Sequence, residues 1–252
     1  CVNQIIEGVL SELSEAAIYS LIDFYQAKKN ESVNLSYQEF NARLTGENFI
    51  QEFHLKYPIV PEMCKTIIKN YTNRILKIFD TLIKYKSEIF EFTREEESGS
   101  LNITGLDIFK GDYHKQTFVA IVTMSQKKLV MKYRFNIGER ILNIFKEFYS
   151  QENIVLPVVS TKILTDGLAI QEFVEVNEFF SQTEIEEFYY KFGLMTGVFT
   201  VLGTKDLHNE NLIATKNGPY FIDMEVAITP QKTPKTYSPW LPECLQLLDA
   251  RR

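Results

Sequence analysis

Asp206-Leu-His-Asn-Glu-Asn-Leu-Ile-Ala214, followed by Tyr220-Phe-Ile-Asp-Met-Glu225, is the stretch on which the reading of this chain turns. It sets a carboxylate (Asp206), a side-chain amide (Asn211) and a second carboxylate (Asp223) around a short predicted hairpin. Leu212-Ile-Ala-Thr215 is apolar and partly β-branched, Lys216-Asn-Gly218 is a turn signal, and Tyr220-Phe-Ile222 is a second short apolar run. Pairing the two runs places Asn211 and Asp223 side by side, and two oxygen ligands at one spot suit Mg²⁺. Phosphoryl transfer needs such a set. One Asp takes or orients the proton of the attacking hydroxyl, while an Asn and another Asp hold the metal on the nucleotide phosphates. Taken singly, Asp206 and Asn211 read as readily as turn caps. The joint spacing favours the site.

Upstream, Thr117 to Met124 and Leu129 to Phe135 are rich in apolar and β-branched side chains, with the polar Ser125-Gln-Lys-Lys128 between them. This predicts a β-hairpin. Lys132 falls inside its second strand among apolar neighbours. A lysine there is costly to bury unless it meets an anion, and a nucleotide phosphate would serve. A lysine on the solvated face of an edge strand is the other reading.

Around these two constellations the chain divides into three zones, predicted as 1–100, 101–178 and 179–252, with an overall α+β class. The first is helical. Val2, Ile5, Ile6, Val9, Leu10, Leu13, Ala17, Leu21 and Phe24 recur at spacings of three and four, as one buried face requires. Ile67, Ile68, Tyr71, Ile75, Phe79, Leu82 and Ile83 repeat that spacing in a second helix whose first turn carries Pro61. Arg94-Glu-Glu-Glu-Ser-Gly-Ser100 marks the boundary that follows. In the second zone a helix over 137–148 shows Ile141, Ile144 and Phe145 on one face. Two further strands, 154–164 and 168–176, meet across Thr165-Asp-Gly167. The third zone opens with a capping box, Ser181 and Glu184, on a helix lined by Ile185, Phe188, Phe192, Met195, Phe199 and Leu202 that stops at Gly203. Thr229 to Pro239 is polar and proline-rich and reads as a loop.

Gly111-Asp-Tyr-His114, Lys132-Tyr-Arg134, Asp206 to Ala214 and Phe221-Ile-Asp-Met-Glu225, in that order, resemble the dehydratase domain of class II lanthipeptide synthetases. The resemblance implies a helical N-terminal region, then a lipid-kinase-like small sheet lobe and an incomplete helical second lobe. It implies ATP-dependent phosphorylation of Ser and Thr in a ribosomal precursor peptide with a leader sequence, the first step of dehydration in lantibiotic biosynthesis, in the bacterial cytoplasm. By position, Lys132 and Arg134 would bind nucleotide; Asp206 and His208 would serve the catalytic loop; Asn211, Asp223 and Glu225 would hold Mg²⁺; and Asp112 and His114 would join the catalytic set from the hairpin covering the phosphates. Gln171 to Val176 would connect the lobes. The family has Lys-Pro-Arg where this chain has Lys132-Tyr-Arg134, and often a Gly at the place of Thr117, which predicts a bulkier hairpin over the phosphates.

Composition excludes several classes. The 252 residues are 45% apolar, enough for a sizeable core, and the net charge of −6 with signs interspersed speaks against nucleic acid. No run approaches the roughly 18 apolar residues of a membrane helix. Cys1, Cys64 and Cys244 have neither disulfide nor zinc spacing, so the family's zinc cyclase is not expected within this sequence. Cys1 in place of an initiator Met reads as a fragment rather than as an N-terminal nucleophile or a lipidated residue. The family's elimination residues have no counterpart after Glu225, which points to a second chain or a missing C-terminal half that carries elimination and cyclisation. A small-molecule phosphotransferase and a non-catalytic remnant are the alternative readings; a peptide requirement separates the first, and failure to bind Mg-ATP marks the second.

Overall fold

The computed structural model describes residues 1–31, 35–94, 101–110, 117–124, 127–134, 136–177, 181–205 and 207–224. Its contacts divide the chain into two compact units, one of Cys1–Asn136 with Val159–Val174 and one of Ile137–Val158 with the remainder from Glu175.

The first unit joins helices to a sheet. Five helices come first: α1 (Val2–Glu31), α2 (Tyr37–Arg43), α3 (Glu47–Lys56), α4 (Ile59–Lys84) and α5 (Lys86–Thr93). Five antiparallel strands follow, β1 (Ile103–Lys110), β2 (Phe118–Met124), β3 (Lys127–Tyr133), β4 (Thr161–Thr165) and β5 (Leu168–Glu172), in the order β1-β2-β3-β5-β4. The long hairpin is as predicted, except that Lys127 and Lys128 belong to the strand; the centre of the turn lies outside the described residues. The strands predicted over 154–164 and 168–176 form only over β4 and β5.

Alternate residues of the sheet, Phe118, Ala120, Val122 and Met124 on β2, Leu129, Met131 and Tyr133 on β3, and Leu168 and Ile170 on β5, face Ile78, Leu82 and Ile89 of α4 and α5. The edge strand β1 is covered by α1, where Gln4 Oε1 accepts from the Leu106 amide at 3.2 Å. A partly buried ion pair, Arg74 to Glu12 at 2.7 Å, ties α4 to α1. A smaller aromatic cluster of Phe24, Phe40 and Phe53 closes α1 on α2 and α3.

The helical stripes are broader than the faces they bury. Val2, Ile6 and Leu10 on α1 are exposed, as are Ile68 and Ile83 on α4. Periodicity marks the apolar arc, whereas burial follows the width of the neighbour that meets it.

The second unit comprises α6 (Ile137–Gln151), α7 (Gln182–Leu202), a 3₁₀ turn (Asn209–Asn211) and the hairpin β6 (Leu212–Thr215) with β7 (Gly218–Phe221). On α6 the buried apolar residue is Leu142, and Ile144 is exposed, contrary to the predicted face. The capping box of α7 is present, Ser181 Oγ accepting from the Glu184 amide at 3.2 Å and Glu184 Oε2 from the Ser181 amide at 3.1 Å. Its end is set by Gly203 at φ 65°, where the Thr204 amide reaches back to the Phe199 carbonyl at 3.0 Å. Met195, Val198 and Phe199 of α7 pack on Phe221, Met224, Leu142 and Leu156. Ile185, included in the predicted face, is partly exposed.

Candidate functional site

Lys132 lies in the sheet interior, on β3 between β2 and β5, paired with Val119 on one side and Ala169 on the other. It is 4% exposed, so the edge-strand reading does not hold. Alternation along β3 turns Leu129, Met131 and Tyr133 to the helical core and Val130 and Lys132 to the opposite face. The bulk of Tyr133 therefore goes into the core. Its ring stacks on Phe118 at 4.2 Å between centroids, and the Lys77 ammonium lies 5.0 Å from it. Burial pushes the Tyr133 phenol well above its usual value, which keeps it neutral. The Tyr133 ring therefore adds no bulk to the Lys132 face. Arg134, just past the strand, is also buried, and its carbonyl accepts from Asn136 Nδ2 at 2.6 Å.

In the second unit the predicted hairpin forms with Leu212 opposite Phe221 and Thr215 opposite Gly218. Gly218 has φ 126°, and a Cβ there would stand 2.9 Å from Lys191 Cδ and 3.1 Å from Pro157 Cβ. Only glycine fits this corner. Pairing continues one step past the strands, the Ile222 amide donating to the Asn211 carbonyl at 2.9 Å. Asn211 and Asp223 consequently stand at the open end of the hairpin, the neighbours the sequence predicted.

Asn211 is buried, with Nδ2 3.2 Å from His208 Nε2. An amide nitrogen only donates, so Nε2 accepts and the imidazole proton sits on Nδ1. The Glu210 carboxylate, 3.8 Å from Nδ1, favours that tautomer. The Asn211 carbonyl oxygen is then turned away from the imidazole. Asp223 adopts φ 60°, a left-handed conformation rare for any residue but glycine and most accessible to Asn and Asp. The chain turns sharply there, directly after β7. An amide oxygen and a carboxylate are both hard donors, the type that Mg²⁺ takes.

Lys132 and Arg134 belong to the first unit, and His208, Asn211 and Asp223 to the second. Asp112, His114, Asp206 and Glu225 lie outside the described residues. Among the described residues no group of three or more His, Cys, Asp and Glu could hold a metal, and no helix is long and apolar enough to cross a membrane.

Two features escaped sequence reading. One is the orienting contact from His208 to Asn211, which the i to i+3 spacing within a 3₁₀ turn could have indicated. The other is a cavity of about 520 Å³ beside His208, floored by Phe192, Phe199, Leu212 and Phe221. No sequence signal marks it, because its walls come from separate elements.

A family model described as "Domain of unknown function (DUF4135)" matches residues 57–244. The chain is also similar to the lacticin 481/lactococcin biosynthesis protein LcnDR2 of Lactococcus lactis subsp. lactis, with 26% identity over 190 residues. That match covers 72% of this chain and 20% of the relative, so the chain spans about one fifth of the length of that protein.

Proposed function

Because the chain belongs to the DUF4135 family, a domain associated with lanthipeptide synthetases, we propose that it performs the phosphorylation step of lanthipeptide maturation. The reaction is transfer of phosphate from ATP to a Ser or Thr hydroxyl of a ribosomal precursor peptide. One observation carries this reading: His208 turns the Asn211 amide at the end of the hairpin where Asp223 stands in a left-handed backbone. The first unit is compatible with a kinase-like small lobe. Its sheet has five antiparallel strands with a buried lysine on the third.

In this reading Lys132, with Arg134, balances the charge of the nucleotide phosphates. Asn211, Asp223 and Glu225 are the ligands for Mg²⁺, which neutralises those phosphates when bound. Asp206 orients the attacking hydroxyl and takes its proton, and His208 holds Asn211 in place. Asp112 and His114 act from the hairpin over the phosphates. The chemistry is chiefly positioning and electrostatics, so rigid placement of few groups suffices.

The test is incubation of the chain with a precursor peptide, Mg²⁺ and ATP, read by mass spectrometry. A product heavier by about 80 Da per site, the mass of a phosphoryl group, is expected. Transfer to a small-molecule hydroxyl with no peptide requirement would favour the other phosphotransferase reading. Loss of water from the peptide would place elimination residues in this chain.

A further inference from the structure

We infer that Lys191 and Thr215 are positioning residues for the Asn211–Asp223 pair: they close the far turn of the β6–β7 hairpin and so set the spacing of the two donors at its open end. The inference rests on the reading of that pair as ligands for Mg²⁺. The hairpin is a two-stranded sheet of its own, four residues a side. A ribbon so short is at best marginally stable by itself. Packing of Leu212 and Phe221 against α7 decides which of its faces turns inward. How far the strands splay depends instead on the turn that joins them.

Thr215 pairs with Gly218, which leaves Lys216 and Asn217 as a two-residue connection. In the turns whose twist matches that of the strands, the first or both connecting residues have positive φ. Among the described residues the non-glycines with positive φ are Arg94, Asn153 and Asp223, so this turn is not of that kind. Side chains supply the hold. Thr215 is 3% exposed; its Oγ1 accepts from the Asn217 amide at 3.1 Å and donates to the Gly218 carbonyl at 3.0 Å, spanning the turn from within. Lys191 reaches the same turn from α7. Its ammonium donates to the Asn217 carbonyl at 3.0 Å and to Glu187 Oε1, one helical turn back, at 2.7 Å. The turn is thereby tied to a helix capped at both ends.

The ladder carries this hold to the site. Four residues separate Thr215 from Asn211, about 13 Å at about 3.3 Å each, so the two residues act on the pair without touching its metal. At the open end the Ile222 amide on the Asn211 carbonyl closes the last rung, with Asp223 next in the chain. Mg²⁺ demands near-ideal octahedral ligands at about 2.0–2.1 Å, so a small splay of the strands costs affinity.

The experiment measures Kd for ATP with and without Mg²⁺ by titration calorimetry, using the whole chain and its Lys191→Met, Thr215→Val and Thr215→Ser variants. The quantity read is the gain in affinity that Mg²⁺ brings. Lys191→Met and Thr215→Val should each cut that gain by about three- to tenfold, the worth of one net hydrogen bond, while ATP alone binds as before. Thr215→Ser keeps the hydroxyl and should keep the gain. Lys191→Met also removes a positive charge, which by electrostatics alone would favour Mg²⁺, so a smaller gain reports geometry. This variant decides the matter if Thr215→Val does not fold. A lower Tm with an unchanged gain would mean that the two residues serve the fold alone, and overturns the inference. Loss of ATP affinity to the same extent with and without Mg²⁺ overturns it as well. Absence of any gain from Mg²⁺ in the folded, unaltered chain overturns it together with the metal reading it rests on.

Discussion

Leu82 and Ile83 are adjacent, equally apolar and part of one periodic stripe, yet the fold assigns them opposite fates. Leu82 is 2% exposed in the core between α4 and the sheet, whereas Ile83 is 74% exposed. Leu82→Ala removes three carbon atoms, about 2.4 kcal/mol of transfer free energy at about 0.8 kcal/mol each. The cavity left behind raises the cost to about 3–4 kcal/mol. Ile83→Ala removes as many carbons from water-exposed surface, and alanine's higher helix propensity offsets the small loss, leaving the change within about 0.5 kcal/mol. In urea unfolding followed by circular dichroism, an m of about 2 kcal/mol/M turns the first figure into a midpoint drop of about 1.5–2 M. The second variant should coincide with the unaltered chain. Because Leu82 packs on strands as well as helices, helical and sheet signals of its unit should fall together. Equal shifts for the two variants, or a Leu82→Ala cost below about 1 kcal/mol, would refute the placement of α4 on the sheet.

Three further outcomes follow from the site. Gly218→Ala should loosen the β6–β7 hairpin and lower stability by about 1–3 kcal/mol through positive φ and close approach, measured as a fall in Tm; an unchanged Tm would remove the steric argument. Asp223→Asn tolerates the left-handed backbone, so it should leave Tm unaltered while weakening Mg²⁺-dependent ATP binding; equal affinity with and without Mg²⁺ in the unaltered chain would contradict the metal assignment. Asp206→Asn should cut phosphopeptide yield by about 10²–10⁴ in rate with the circular-dichroism spectrum preserved, and an undiminished rate would end its role as proton acceptor.

The sequence by itself determined the features that are local. Ser181 with Glu184 and then Gly203 fixed both ends of α7, because cap geometry involves residues three or four apart. The turn at Lys216-Asn-Gly218 fixed the register of β6 on β7 and with it the adjacency of Asn211 and Asp223. The class of the chain, α+β, followed from the change of apolar period between the helical region and the Thr117–Phe135 hairpin. Tertiary structure decided what depends on distant partners. A lysine among apolar residues has the same local pattern on an edge or a central strand, and the placement of β5 beside β3 is what buried Lys132. The Tyr133 substitution looked like bulk over the phosphates until strand alternation sent the ring into the helical core. The division of an apolar stripe into buried Leu82 and exposed Ile83 depends on where the sheet's surface ends. Hydrophobic periodicity gives the direction of an apolar arc but contains no term for the shape of whatever covers it.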